Sequence, residues 1–328
     1  MTEAPDHNLA LDLVRVTEVA AMAAARWQGR GDKDRVDQAA VDGMRAVLST
    51  VGIAGTIVIG EGEKDNAPML FNGEKVGSGR GLEVDVAVDP VDGTRLTAGG
   101  MPGALAVIAM AEAGTMYAPG SLVYMDKIAV GPRAAGTIDL DAPVAHNLRH
   151  IAKALSKDVN DLTVIILDRP RNMRYVDAVR EEGARIRLIT DGDVLAAIAT
   201  VEEDSGIDML IGIGGSPEAV IAAGALTCLG GEIQCRLWPR DESERAYALE
   251  NALDIDSVLT TRDLVNSDNV FFAATGVTDG ELLDGVHFFA DGATTHSVVM
   301  RSKTGAVRYV KTNHNLAKLE KLSRVPLS

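Results

Sequence analysis

Apolar and polar positions repeat along this chain with two different periods. Leu9, Leu13, Val16, Ala20, Ala23 and Trp27 recur at three- and four-residue steps, the period of a helix that buries one face. Gly29-Arg-Gly31 breaks the pattern. Asp32 is then placed to cap a second helix carrying Val36, Ala40, Met44, Val47 and Leu48. Asp37 falls early in that helix, beside its apolar stripe rather than opposite it. The period next changes to two. Thr56-Ile-Val-Ile59 reads as a buried strand running into Gly60-Glu-Gly-Glu63, where glycine permits a sharp turn. Leu82, Val84, Val86 and Val88 face one way, and Glu83, Asp85, Ala87 and Asp89 the other. Further strands are predicted near 104–110, 122–130 and 136–140. From 163 the rhythm becomes strand then helix: strands at 163–167, 185–189 and 207–211, and helices at 173–182, 194–200 and 217–228. That order predicts a parallel sheet with right-handed crossovers. The tail from about 270 to 309 returns to strands. The expected fold class is α/β, with an α+β half over 1–162 and a parallel-sheet half over 163–328.

The chain has 328 residues, enough for two such domains. Aromatics are 4 % of it, so the core must be built from Ala, Val, Ile, Leu and Met. A net charge of −15 disfavours a nucleic-acid partner, which would call for a basic face. The two cysteines, Cys228 and Cys235, are too few for a disulfide scaffold or a thiolate zinc site and suit a reducing compartment. The N-terminal residues show no basic-then-apolar signal, and the longest apolar run, 104–111, is too short to span a bilayer. The expectation is a cytoplasmic protein with no membrane partner.

Ligands of open parallel sheets bind outside the carboxyl ends of the strands. Those ends here read Asp168-Arg-Pro-Arg171, Asp191-Gly-Asp193 and Gly212-Ile-Gly-Gly215. Any one of them is as readily a turn, but three on one edge point to a polar ligand. Arg169 and Arg171 can fork a phosphate, and Asp191 and Asp193 can accept from sugar hydroxyls. A lone surface carboxylate is usually just solvated. Asp89-Pro-Val-Asp-Gly-Thr94 instead sets two carboxylates and a hydroxyl on one tight turn, and Glu61 and Glu63 follow the strand at 56–59 within the Gly60-Glu-Gly-Glu63 turn. With no histidine or cysteine set beside them, these oxygens suit Mg²⁺ or Mn²⁺ and a phosphate substrate. Thr94 can orient an attacking water.

Other motifs carry less. Gly212-Ile-Gly-Gly-Ser-Pro217 fails as a dinucleotide fingerprint, because Pro217 takes the third glycine's place. Ser216 is the expected N-cap of the next helix, with Pro217 its first residue and Glu218 pointing back at the site. Arg185–Thr190 followed by Asp191-Gly-Asp193 has the outline of an aspartyl-phosphate phosphatase loop, with Leu195 where Thr or Val is usual. Gly77-Ser-Gly-Arg-Gly81 reads as a hairpin turn. His146 and His150, four apart on a helix, read as packing or surface residues, and both cysteines as buried filler.

Asp89-Pro-Val-Asp-Gly-Thr94 resembles the signature of the lithium-sensitive, metal-dependent sugar phosphatases. Gly29-Arg-Gly-Asp-Lys33, Ile57-Val-Ile-Gly-Glu-Gly-Glu63, Gly73-Glu-Lys-Val-Gly77, Tyr124-Met-Asp-Lys127, Gly136-Thr-Ile-Asp-Leu140 and Gly212-Ile-Gly-Gly-Ser-Pro-Glu218 narrow the likeness. Together they resemble the class II fructose-1,6-bisphosphatases of the GlpX type, from about 9 to 310. The resemblance implies a layered α-β-α-β-α fold and hydrolysis of the 1-phosphate of fructose 1,6-bisphosphate, the gluconeogenic step. Sedoheptulose 1,7-bisphosphate is a further substrate of some relatives. It implies metal ligands at Asp37, Glu61, Asp89, Asp92 and Glu218, for Mg²⁺ or Mn²⁺. Substrate contacts would fall on Asp92, Gly93, Thr94, Tyr124, Arg169, Pro170, Arg171, Asp191, Gly192, Asp193 and Gly215. Thr94 would activate the water, with Asp65 assisting as a base and Lys33 holding an anion or a carboxylate. A homotetramer or homodimer is also implied. Some relatives carry Glu at the place of Asp92 and Lys at the place of Arg169.

Overall fold

Helices α1 (Ala10–Ala25) and α2 (Lys33–Leu48) form where the apolar period predicts them, and Asp32 caps α2 by accepting from the Arg35 amide at 3.1 Å. They belong to a computed structural model that describes residues 8–60, 70–323, 325 and 327. Next come β1 (Ile53–Ile59), β2 (Lys75–Val76), β3 (Leu82–Asp92), α3 (Thr94–Gly99), β4 (Leu105–Glu112), β5 (Tyr124–Val130) and α4 (Val144–Leu155). The alternating part follows as β6 (Thr163–Leu167), α5 (Met173–Glu181), β7 (Arg185–Ile189), α6 (Asp193–Ala199), β8 (Met209–Gly215), α7 (Ser216–Leu229) and β9 (Glu232–Leu237). The chain closes with α8 (Glu242–Glu250), β10 (Leu259–Thr260), α9 (Thr261–Leu264), β11 (Phe271–Gly276), β12 (His287–Phe289), β13 (Gly292–Arg301), β14 (Ala306–Asn315) and α10 (Leu316–Ser323).

The strands form two mixed sheets. The first runs β2-β1-β3-β4-β11-β13, with β13 also pairing β12 and β14. Among the described residues only β1 and β3 run parallel there. The second runs β10-β9-β5-β8-β6-β7. The expectation of a parallel sheet holds for β7, β6 and β8 alone. β5, a strand from the first half of the chain, lies antiparallel between β8 and β9, so the sheet is mixed.

Among the described residues three apolar cores pack these sheets. One lies between α1 and α2 and the face of the first sheet that carries Val86, Val88 and Ile108. The second joins that sheet's other face, through Ala87, Val107 and Phe272, to α6, α7 and one face of the second sheet. The third sets α4 and α5 on the second sheet's remaining face. β3 is therefore buried on both sides, although its sequence alternates. Its polar positions serve the interior: Asp85 accepts from the Thr115 and Met116 amides at 2.8 and 3.0 Å.

Two local expectations differ. Residues 136–140 form no strand; side chains of Glu232 and Gln234 on β9 take the Gly136 and Leu140 amides in place of a ladder. Gly77-Ser-Gly-Arg-Gly81 closes no hairpin, because β2 and β3 pair with β1 from opposite sides and not with each other. Both cysteines are buried, and burial pushes each thiol up to about 12. His146 and His150 stack on α4 with ring centroids 4.0 Å apart. No helix among the described residues is long and apolar enough to cross a membrane.

Candidate active site

Alternation would send Asp89 and Asp92 to opposite faces of β3, since a strand repeats every two residues. A β-bulge prevents this. Asp89 stands opposite Val107 and Asp92 opposite Leu105, so three steps along β3 match two along β4. Both aspartates thus reach the same face, the one turned toward α6 and α7. Pro90, which has no N–H to give the ladder, sits inside the irregularity. Gly93 then turns the chain at φ 99°, a left-handed conformation that a Cβ would strain, and Thr94 opens α3. Thr94 Oγ1 donates to Asp37 Oδ1 of α2 at 2.7 Å, with the Val91 carbonyl oxygen 3.2 Å away. Asp89 Oδ1 accepts from the Val91 amide at 3.0 Å. The turn at Gly29 and Gly31 is pinned beside α3 by donating to the Thr97 and Ala98 carbonyls, each at 2.9 Å. Lys33, the first residue of α2, is exposed.

The opposite wall comes from the second sheet. Asp92 is 4 % exposed and its Oδ2 accepts from the Val194 amide at 3.2 Å, which ties β3 to the start of α6. Asp193 is 5 % exposed, and its Oδ2 is held by Lys127 Nζ of β5 at 2.6 Å. Lys127 also donates to the Gly215 carbonyl at 3.0 Å. Glu218 lies in the first turn of α7, folded over β8's last residues. A Cβ at Gly215 would come within 1.7 Å of its Oε2, and one at Gly214 within 1.8 Å of Asp193 Oδ2. The glycines are there because carboxylates occupy their side-chain space. Gly215, not Ser216, is the N-cap residue of α7; the Ser216 hydroxyl donates to the Leu122 carbonyl instead.

This pocket of charge is unbalanced. Burial first, then Glu218 and Asp193, hold the Asp92 carboxyl well above its usual range. Burial and Asp193 raise Glu218 too, against the pull of Lys127. Burial works to lower the Lys127 ammonium, but Asp193 and Glu218 more than offset it and raise it. Among the described residues, Asp193 Oδ1 and Glu218 Oε2 are buried with no hydrogen-bond partner. Such oxygens are costly unless something positive meets them. An all-oxygen donor set with orphaned, buried acceptors fits a hard cation such as Mg²⁺ or Mn²⁺. Among the described residues no three His, Cys, Asp or Glu side chains already form a cage. Glu61 and Asp65 lie outside the described residues.

The arginine loop follows β6. Buried Asn172 fixes it by donating to the Leu167 and Ile213 carbonyls at 3.0 and 3.2 Å and accepting from the Ile213 amide at 2.7 Å. Pro170 opens its short 3₁₀ turn. Arg171 lies over the Tyr124 ring, 4.2 Å from its centroid, and Tyr124 pairs with Gly215 across β5 and β8. Arg169 turns toward Asp191, 3.0 Å from its Oδ1. Asp191 is also gripped at both oxygens by Arg95 of α3, at 2.9 and 2.6 Å. Gly192 caps α6 at φ 94°. A cavity of about 950 Å³ opens on the far side of Asp191 and Gly192, between Leu188, Leu195 and the turn at 279–282. Its walls include neither Thr94, Glu218 nor Tyr124.

Thr94 and Asp37 thus meet directly; Asp92, Asp193 and Glu218 share one buried pocket; and Tyr124, Arg171 and Gly215 share one sheet end. Arg95 and Asn172 escape the sequence reading, and Lys127 enters it only within the Tyr124-Met-Asp-Lys127 block, with no role assigned. The partners of Arg95 and Asn172 are remote in sequence and left no trace.

A family model described as bacterial fructose-1,6-bisphosphatase, glpX-encoded, matches residues 7–314. The chain is 46 % identical over 323 residues to fructose-1,6-bisphosphatase 1 class 2 of Escherichia coli strain K12, covering 94 % of this chain and 96 % of that protein. It has the same identity and coverage with the fructose-1,6-bisphosphatase class 2 proteins of Escherichia coli O6:H1 and Shigella flexneri.

Proposed function

The chain belongs to the bacterial, glpX-encoded family of class II fructose-1,6-bisphosphatases, and we infer that its bulged carboxylate turn and its arginine loop serve the two ends of a sugar bisphosphate. Its activity is the fructose-1,6-bisphosphatase activity of that family, a step of gluconeogenesis. The reaction is hydrolysis at the 1-phosphate. Water oxygen bonds to phosphorus as the bond to O1 breaks, and O1 takes up a proton and leaves as the hydroxyl of fructose 6-phosphate.

Asp37, Glu61, Asp89, Asp92 and Glu218 would hold Mg²⁺ or Mn²⁺, which when bound supplies positive charge to the phosphate oxygens. Thr94 has one proton to give, and the 2.7 Å bond directs it to Asp37. Its lone pairs are then free to accept from the attacking water and aim it. Asp65 and Lys33 assist, as base and as anion or carboxylate anchor. Tyr124, Arg169, Pro170, Arg171, Asp191, Gly192, Asp193 and Gly215 hold the sugar and its distal phosphate, beside Asp92 and Gly93. The metal-holding groups come mainly from 1–162 and the sugar-holding groups from 163–328. The three cores are consistent with an α-β-α-β-α layering, and the working enzyme is a homotetramer or homodimer in the cytoplasm. Asp191 makes a poor covalent nucleophile, because Arg95 and Arg169 occupy its oxygens.

The observation that carries this reading is the hydrogen bond from Thr94 to Asp37, on the turn that also carries Asp92 into a pocket where one oxygen each of Asp193 and Glu218 has no hydrogen-bond partner among the described residues. The test is phosphate release from fructose 1,6-bisphosphate, sedoheptulose 1,7-bisphosphate, fructose 1-phosphate, fructose 6-phosphate and inositol 1-phosphate, with Mg²⁺, with Mn²⁺ and with chelator. Metal-dependent release from bisphosphates alone is expected. Release from monophosphates alone would refute the two-ended site, and folded protein that binds substrate without releasing phosphate would refute catalysis.

A further inference from the structure

We propose that Arg240 is a further substrate-binding residue: with Arg171 it forms a two-guanidinium clamp across the Tyr124 ring that takes the distal phosphate. The inference rests on the bisphosphate reading above and adds a residue that neither the motifs nor the loop after β6 point to.

The geometry begins at Tyr124. It is the first residue of β5, paired with the last residue of β8, and its carbonyl accepts from the Trp238 amide just beyond β9 at 3.0 Å. Three strand ends therefore meet at one ring. Arg171 arrives from the loop after β6, its guanidinium 4.2 Å from the ring centroid. Arg240 arrives from the turn after β9, with its guanidinium 5.8 Å from the same centroid. Trp238 closes a third side edge-on, ring centroids 6.2 Å apart and planes at 71°.

The two cations are held in different ways. Arg171 donates through Nε to the Ile213 carbonyl at 3.1 Å, and among the described residues no carboxylate pairs with it. Arg240 is moored at one edge. Its Nε and its own backbone amide both donate to Glu244, each at 2.7 Å, and Glu244 is only 7 % exposed. Asp241 fixes that turn by accepting from the Glu244 amide at 3.0 Å. The ion pair with Glu244 still leaves half of the Arg240 side chain open, 51 % exposed. A guanidinium anchored by one edge presents its other edge in a set direction, which lowers the ordering cost of binding an anion. Arg171 has no carboxylate partner among the described residues, and Arg240 spends one edge on Glu244, so an anion at the ring would meet one uncompensated and one half-occupied guanidinium. A phosphate monoester has the charge and the several acceptor oxygens to meet both forks at once.

Trp238 gives a direct readout, because the chain's other tryptophan, Trp27, can be removed as Trp27→Phe. In that background, Trp238 emission is titrated with fructose 6-phosphate, which carries only the distal phosphate. Arg240→Ala is expected to weaken the apparent affinity at least ten-fold, and Arg240→Lys by less, since it keeps the charge and loses the fork. In turnover, Arg240→Ala should raise KM for fructose 1,6-bisphosphate at least ten-fold with kcat within three-fold. For fructose 1-phosphate, kcat/KM should fall less than three-fold. The clamp is overturned if Arg240→Ala leaves fructose 6-phosphate affinity and bisphosphate KM within two-fold while Arg171→Ala weakens both. If wild-type protein handles fructose 1-phosphate as well as the bisphosphate and neither arginine matters, the bisphosphate reading fails and the clamp falls with it.

Discussion

Thr94 acts through one proton and two lone pairs, which makes its substitution informative. Alanine removes the donor to Asp37 without touching the apolar packing of α3, because Leu96 and Ala98 make that packing. Thr94→Ala is expected to lower kcat by about 10²–10⁴, the usual weight of a positioned proton-transfer group, with KM changed little. Thr94→Ser, which keeps the hydroxyl, should recover most of the rate. Steady-state phosphate release decides it, and an undiminished kcat in the alanine variant removes Thr94 from the mechanism. Lys127 is the opposite case. It touches Asp193 and the Gly215 carbonyl from inside a strand, and so reaches the chemistry only by holding other groups in place.

The ends of β3 and β8 show why the site needs the strands it has. A regular β3 would aim Asp89 and Asp92 apart, and the bulge makes them neighbours. At the end of β8, Gly214 and Gly215 leave their side-chain space to Asp193 and Glu218, so alanine at either position displaces a carboxylate. The two substitutions should differ. At Gly215 the obstacle is the tip of the Glu218 side chain, which can swing away. Gly215→Ala should therefore fold nearly as well as wild type and lose ten-fold or more in Mg²⁺ or Mn²⁺ affinity, read by metal titration. At Gly214 the obstacle is a carboxylate already paired with buried Lys127, and displacing it leaves a buried charge uncompensated. Gly214→Ala should cost about 3 kcal/mol in denaturant unfolding. Equal stability of the two variants would refute this contrast. The same elements mark the limits of sequence reading. α1 and α2 were legible because a one-faced helix writes its period into the chain. The carboxylate turn was legible because its residues are contiguous. The bulge was not, since only Pro90 hinted that the period of two would slip. Nor was the absence of a strand at 136–140, because alternation cannot tell a ladder from amides held by Glu232 and Gln234. Arg95 and Asp191 meet across 96 positions, and no local pattern predicts that.

The two sheets together impose a charge problem that neither has alone. Asp92 comes from the first sheet, Asp193 and Glu218 come from helices that follow strands of the second, and among the described residues Lys127 is the cation that offsets them in the buried pocket. Folding raises the Glu218 carboxyl above its ordinary value near 4.5, so the folded chain binds that proton more tightly than the unfolded chain. Stability falls with rising pH wherever the folded state holds more protons. The loss begins near the ordinary carboxylate value and is complete above the raised one. Glu218→Gln removes the titration while keeping the shape. In chelator, the variant should melt with wild type at pH 4 and above it, by a few degrees, at pH 8. Adding Mg²⁺ or Mn²⁺ should reverse the order, because a bound cation stabilises only the protein that holds it well. Scanning calorimetry at both pH values, with and without metal, tests each part. A Glu218→Gln variant that is less stable than wild type by the same amount at every pH would mean that Glu218 contributes packing rather than crowded charge. The buried carboxylates would then be structural, and the case for a cation site between the sheets would have to rest on Asp37, Glu61 and Asp89.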